Sequence, residues 1–176
     1  MTVGHFHIPG DATKREYAVY VMVARHRRRG TVKLYVGKTG DNRDGCNPVI
    51  SRAGNHFSFN IIHSQMRNKL PGRPNEYDFD FFYTTFGKYM DPKESRRGID
   101  VINEMERRLN LLIQQRLGGG CLLNRYVGKT VPVASRRARE RLATPVRTRQ
   151  LDTFIERIRV HLGRDTTAKR IGEEKV

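Results

Sequence analysis

A mixed α/β (α+β) domain is the fold class this sequence predicts: a three-stranded antiparallel sheet flanked by helices, followed by a helical, basic C-terminal extension. Three observations predict it. Tyr17 to Val36 (YAVYVMVARHRRRGTVKLYV) reads as two strands rich in Val, Tyr and Leu around a basic turn ending at Gly30. Glu76 to Phe86 (EYDFDFFYTTF) alternates Tyr77, Phe79, Phe81 and Tyr83 with Asp78, Asp80 and Phe82, which makes a third strand. From Ile99 to Leu117, the residues Ile102, Met105, Leu109, Leu112, Ile113 and Leu117 recur at helical spacing.

The 176 residues suit one domain with small appendages. The natural divisions are an arm over 1–16, a main domain over 17–130 and the basic extension over 131–176. A hydrophobic share of 37% is enough for one core. Lys and Arg total 34 against 18 Asp and Glu, a net charge of +16 with pI near 10.5. Charge of that size opposes compaction and makes sense if the partner is a polyanion. It is spread over the whole chain, as a surface property is. No apolar run approaches the roughly 20 residues of a spanning helix, and no signal-peptide core follows Met1. Nucleic acid is therefore the expected partner, without a membrane. Cys46 and Cys121 lie far apart with no CxxC, which reads as two free thiols in a reducing, cytoplasmic setting and excludes a Cys-based zinc site.

The elements follow in order. Met1 to Glu16, with Gly4, Pro9 and Gly10, reads as an arm; the alternating His5 and His7 are a weak metal signal at a polar terminus. In the hairpin, pairing Tyr20 with Tyr35 sets Met22 opposite Lys33 and Ala18 opposite Gly37. Strand side chains alternate, so Val19, Val21, Val23, Val32, Leu34 and Val36 share one aliphatic face suited to a core. The other face carries Tyr20, Lys33 and Tyr35, which either pair as aromatics across strands or serve a separate purpose. The turn sets Arg25, Arg27, Arg28 and Arg29 at a loop tip, a solvated face or a set of phosphate contacts. Gly37-Lys38-Thr39 shares GKT with phosphate-binding P-loops, but those need a glycine five positions earlier, where Val32 stands. A second GKT, at Gly128 to Thr130, has Leu123 there, so nucleotide hydrolysis is excluded.

Asp41 to Pro48 is a loop. Pro48 opens a helix with Val49, Ile50, Ala53 and Phe57 on its apolar side and with Arg52 and His56 sharing a face. Asn60 to Leu70 reads as a second helical piece, with Ile61, Ile62, Gln65, Met66 and Leu70 in register. Gly87 to Gly98 is a loop. The triple glycine Gly118-Gly119-Gly120 stops the long helix, and Cys121 to Val127 returns as a short segment containing Asn124. In the extension, Ser135 to Leu142 is a helix bearing Arg136, Arg137, Arg139 and Arg141, and Pro145 breaks it. Gln150 to Leu162 carries the stripe Leu151, Phe154, Ile155, Ile158 and Leu162, and from Gly163 the chain reads as frayed.

Taken together, these segments resemble the GIY-YIG nuclease family. Ala18-Val19-Tyr20 is similar to its first motif, with Ala in place of Gly. Tyr35-Val36-Gly37 is similar to the second, followed by Lys38. Arg52-x-x-x-His56 matches the family's Arg and the Tyr or His one turn later. Glu106 is similar to the metal-binding glutamate, and Asn124 to the Asn that closes the domain. The resemblance spans roughly Tyr17 to Val127 and leaves both termini unmatched. Each motif is short; their order, the elements they sit on and the Arg-His spacing carry the match. The gap between the tyrosine motifs, the loop from Gly37 to Arg52 and the stretch from Glu106 to Asn124 are all longer than usual. Glu104 is thus a rival for the metal site. Glu106 is preferred because it lies beside Ile102, Leu109 and Ile113, at the edge of the apolar stripe.

The resemblance implies an Mg2+- (or Mn2+-) dependent endonuclease of double-stranded DNA, most like the small, sequence-specific restriction enzymes, which often act as homodimers. A nicking nuclease of repair or a mobile element, a nuclease toxin domain and a non-catalytic DNA-binding module are the alternatives. The residue types suit the chemistry. Hydrolysis of a phosphodiester needs an activated water, stabilised phosphoryl charge and help for the leaving 3′ oxygen. Nearby Lys38, Arg52 and a cation are expected to lower a phenol's pKa, offering Tyr20 or Tyr35 as base with His56 as helper or rival. Arg52 can hold a phosphate with two parallel hydrogen bonds. Glu106 alone suits Mg2+, which keeps waters and takes phosphate oxygens. Arg27, Arg28 and Arg29, with the arginines of the extension, are expected DNA contacts. The extension's apolar stripe is expected to pack on its own domain or on the same stripe of a second subunit. Singly, each residue also has an ordinary reading: a solvated helix face for Arg52 and His56, a local pair for Glu106 with Arg107 or Asn110, a turn residue for Lys38 or Asn124.

Overall fold

A computed structural model of the chain describes residues 4–40, 47–60, 62–91, 96–126 and 133–173. Three strands, β1 (Glu16–His26), β2 (Val32–Thr39) and β3 (Tyr77–Lys88), form an antiparallel sheet in the order β2-β1-β3. The helices are α1 (Val49–Asn55), α2 (Gln65–Lys69), α3 (Arg97–Ile113), α4 (Val133–Glu140) and α5 (Pro145–Glu173). The architecture is therefore α+β, with helices on both faces of one sheet. None of the described helices is long and apolar enough to cross a membrane.

The aliphatic face behaves as its alternation predicts. Val19, Val21, Val23, Leu34 and Val36 are buried with Val101, Ile102, Met105, Leu109 and Ile113 of α3. Leu151, Phe154, Ile155 and Ile158 of α5 join the same core. The stripe of the extension is thus covered by its own chain and does not await a second copy.

The opposite face departs from expectation. Tyr20, Met22 and Ala24 are buried too, in a second core with Met66, Leu70 and Tyr77. A central strand covered on both sides carries a nearly unbroken apolar run, and YAVYVMVA is one. The register also differs. Tyr20 pairs with Gly37 and Met22 with Tyr35, two residues from the expected alignment. Gly30, at φ 66°, sits inside the turn, where a glycine takes a left-handed conformation without strain, instead of pairing with Arg25. A slip of two preserves parity, so every side chain keeps its face. His26 braces this turn: its buried Nδ1 accepts from the backbone N–H groups of Arg28 and Arg29, each at 3.2 Å.

Several boundaries move. The second helical piece contracts to α2, with Ile62 exposed; Ile61 lies outside the described residues. The long helix leaves α geometry after Ile113, in a π turn over Gln114–Gly118 and a 3-10 turn over Gly119–Cys121. The helix of the extension starts at Pro145, where a missing N–H costs nothing, and continues past Gly163 to Glu173 instead of fraying. The arm is not all loose: Gly10–Thr13 makes a 3-10 turn with Ala12 buried. Tyr17 fixes the far end of the sheet. Its ring fits where Gly40 and Gly98 lack side chains, a Cβ on either falling 2.3 Å from it, and its hydroxyl donates to the carbonyl of Met90 at 3.0 Å.

Candidate active site

β1, β2, α1 and α3 converge on a cleft of about 280 Å³ lined by Tyr20, Tyr35, Gly37, Lys38, Arg52, Asn55, His56, Ile62, His63, Gln65 and Glu106. Two larger grooves, of about 430 and 770 Å³, run beside α5, but their walls lack such a convergence of phenol, imidazole, guanidinium and carboxylate. The smaller cleft is the candidate site on that ground.

Tyr20 projects from the middle of β1 and is fully buried. Its ring stacks on Phe81 at 4.9 Å between centroids, and its hydroxyl lies 2.8 Å from Nε2 of His56. It occupies the space over Gly37, where a Cβ would come within 2.2 Å of the ring. His56 follows the last turn of α1 and is buried, edge-on to Tyr35 at 4.7 Å. Burial, assisted by the positive charge of Arg52, lowers the His56 pKa to about 4, so the ring is neutral at pH 7. Burial raises the Tyr20 pKa well above the ordinary phenol value, with Arg52 opposing. The expectation that neighbouring cations would lower this phenol's pKa is thus overturned for Tyr20, because desolvation outweighs the guanidinium. The buried Arg52 Nε and His56 Nδ1 have no hydrogen-bond partner among the described residues. Buried polar atoms left so are costly.

On the other wall, Lys38 Nζ donates to Glu106 Oε2 at 2.5 Å. Glu104, its sequence rival, turns away into a buried cluster, where Arg107 and Arg108 donate to its carboxylate and hold its pKa down against desolvation. Glu106 is the only carboxylate on the cleft wall among the described residues. It is a hard oxygen donor, partly exposed, and fits a cation that brings its own waters. No cluster of three or more His, Cys, Asp or Glu that could hold a metal ion is found among the described residues.

Six sequence-predicted residues, Tyr20, Tyr35, Lys38, Arg52, His56 and Glu106, therefore line one cleft. Asn124 does not. Its Oδ1 accepts from the N–H of Val36 at 3.0 Å and its Nδ2 donates to the carbonyl of Val36 at 2.6 Å, so it clamps β2 beside Tyr35 and Gly37. Asn110, expected only as a local partner of Glu106, instead supports it: its Nδ2 donates to the Asn124 carbonyl at 2.9 Å. The available signal was an Asn next to Leu109 in a buried helix stripe. Asn55 and His63 of the cleft were also missed, and no spacing marks them. Arg27, Arg28 and Arg29 are exposed at the hairpin turn, with Arg27 paired to Asp78 at 2.9 Å. Arg136, Arg137 and Arg139 are exposed on α4, and Arg141 lies just beyond it. Neither set enters the cleft. Compared with protein-family models, characterised proteins and solved structures, the chain matches none.

Proposed function

We propose that the chain is a metal-dependent endodeoxyribonuclease of the GIY-YIG type, acting on double-stranded DNA in the cytoplasm, most like a sequence-specific restriction enzyme. One observation carries the reading. Side chains far apart in sequence meet in a single cleft as the set that phosphodiester hydrolysis calls for. Arg52 offers its fork to the phosphate, and Lys38 would add a second positive charge once a cation takes its place on Glu106. Burial keeps Tyr20 protonated, so of the two phenols the half-buried Tyr35 is the one that would serve, as its phenolate, to take a proton from water, with the neutral imidazole of His56 as the rival acceptor. Glu106 would hold Mg2+ or Mn2+, which when bound polarises a phosphoryl oxygen. The water oxygen bonds to phosphorus as the bond to the 3′ oxygen breaks, and that oxygen leaves as a hydroxyl with a proton from solvent.

Plasmid cleavage tests this: supercoiled DNA should be cut with Mg2+ or Mn2+ and left intact with EDTA. No cutting of a mixed-sequence DNA with either metal refutes it. The internal burial of the α5 stripe favours a second reading, single-strand nicking, because one of the two surfaces considered for a twofold contact is occupied by the chain's own core. Open circles accumulating ahead of linear DNA would identify a nickase; linear product from the start would favour a homodimer through another surface.

A further inference from the structure

The chain between α1 and α2 carries two apolar side chains that neither core covers: Phe59 is 87% exposed and Ile62 is 77% exposed. Single exposed hydrophobes are ordinary, but three features set these apart. Ile62 lies on the wall of the candidate cleft. The guanidinium of Arg67 sits 4.0 Å from the centroid of the Phe59 ring, while the rest of that ring is open to solvent. Their support is pinned. Arg67 Nη2 donates to the Phe57 carbonyl at 3.1 Å, Ser64 Oγ bonds the carbonyls of both Ser58 and Asn60, and Asn60 Oδ1 accepts from Ile62 N at 3.0 Å.

We propose that Phe59 and Ile62 form a wedge that stacks on a DNA base at the step beside the phosphate held in the cleft, opening the duplex locally. An aromatic ring backed by a guanidinium, with its other face bare, is a stacking platform for a base. Apolar wedges of this kind enter and unstack base steps. The net charge of +16 makes a polyanion the occupant. The inference rests on the nuclease reading for the location of that phosphate.

The test uses the full chain in EDTA, with 2-aminopurine placed in turn at each step of a bound duplex. Wild type should raise its fluorescence at one step. Phe59→Ala should lose that rise and bind about tenfold more weakly, Phe59→Trp should retain both, and thermal stability should not change. An unchanged rise and affinity in Phe59→Ala overturns the proposal, as does a Phe59-dependent dimer in light scattering, which would put a second copy on the wedge. Wild type that unstacks DNA but never cleaves it would retire the nuclease and leave the wedge. Wild type that binds no DNA overturns both.

Discussion

Replacing Gly37 with Ala puts a Cβ 2.2 Å from Tyr20 Cζ and 2.3 Å from its hydroxyl oxygen. Carbon atoms rest at about 3.5–4.0 Å from one another, so the ring must retreat by about 1.5 Å. It has little room to do so: it is fully buried, stacked on Phe81 and bonded to His56 at 2.8 Å. Overpacking costs about 1–3 kcal/mol. Breaking the Tyr20–His56 bond leaves buried polar groups unpaired, at about 1–3 kcal/mol more. A total of about 4 kcal/mol lowers Tm by about 8–16 °C in a chain of this size. Displacing a site residue by about 1 Å should also cost about 100-fold in cleavage. The assay is thermal unfolding of Gly37→Ala, Tyr20→Ala and the double variant, with plasmid cleavage alongside. The double should be less destabilised than the sum of the singles, because removing the ring removes the clash. A Gly37→Ala protein with wild-type Tm and activity, or strictly additive variants, would refute the reasoning.

Three further outcomes are expected. Glu106→Gln should abolish cleavage while DNA affinity in a gel shift persists. Glu104→Gln should instead lower Tm, since Glu104 is buried between two arginines, and the folded fraction should still cut; the reverse pattern would move the metal site to Glu104. His56 has a folded pKa of about 4 against an unfolded value of 6.5, so the unfolded chain binds the extra proton between them. Its contribution to stability is complete above pH 6.5 and falls by about 3 kcal/mol as pH drops to about 4. Urea unfolding of wild type and His56→Gln across that window should show the difference, and parallel pH profiles would rule it out. Finally, Ala at Arg136, Arg137, Arg139 or Arg141 should reduce the salt slope of DNA binding by about 1 for each phosphate that the arginine neutralises, and unchanged slopes would remove the extension from the interface.

The sheet was legible because alternation survives an error of alignment by an even number of residues, as this one is. Val19, Val21 and Val23 face the α3 core whether Tyr20 pairs with Tyr35 or with Gly37. The register was not legible, because it turns on whether Gly30 pairs or takes a positive φ, and the residue type permits both. The second core was not foreseen. Alternation in the hairpin points to one core face, and the residues that cover the other, Met66 and Leu70, sit on and beside a helix too short to show a period. Site residues came from the resemblance to the GIY-YIG family, whose motifs report position and not environment. Arg52, His56 and Glu106 do line one cleft, while the Tyr20 pKa moves opposite to the expected direction, because it depends on burial that only the folded chain reveals.

Parity explains what remains. Tyr35 and Gly37 face the Tyr20 side of the sheet, and Lys38 faces α3, where it meets Glu106. Residues on opposite faces line one cleft only if the cleft wraps around the edge of the sheet, and β2 is an edge strand. An edge strand has unpaired backbone groups that must be covered or guarded. Here Leu122 bridges to Leu34 and the amide of Asn124 pairs with both backbone groups of Val36, the residue between Tyr35 and Gly37. Asn124 is therefore a positioning residue. By closing the outer edge of β2 at that point, it fixes the strand that carries Tyr35 to one wall of the cleft and Lys38 to the other.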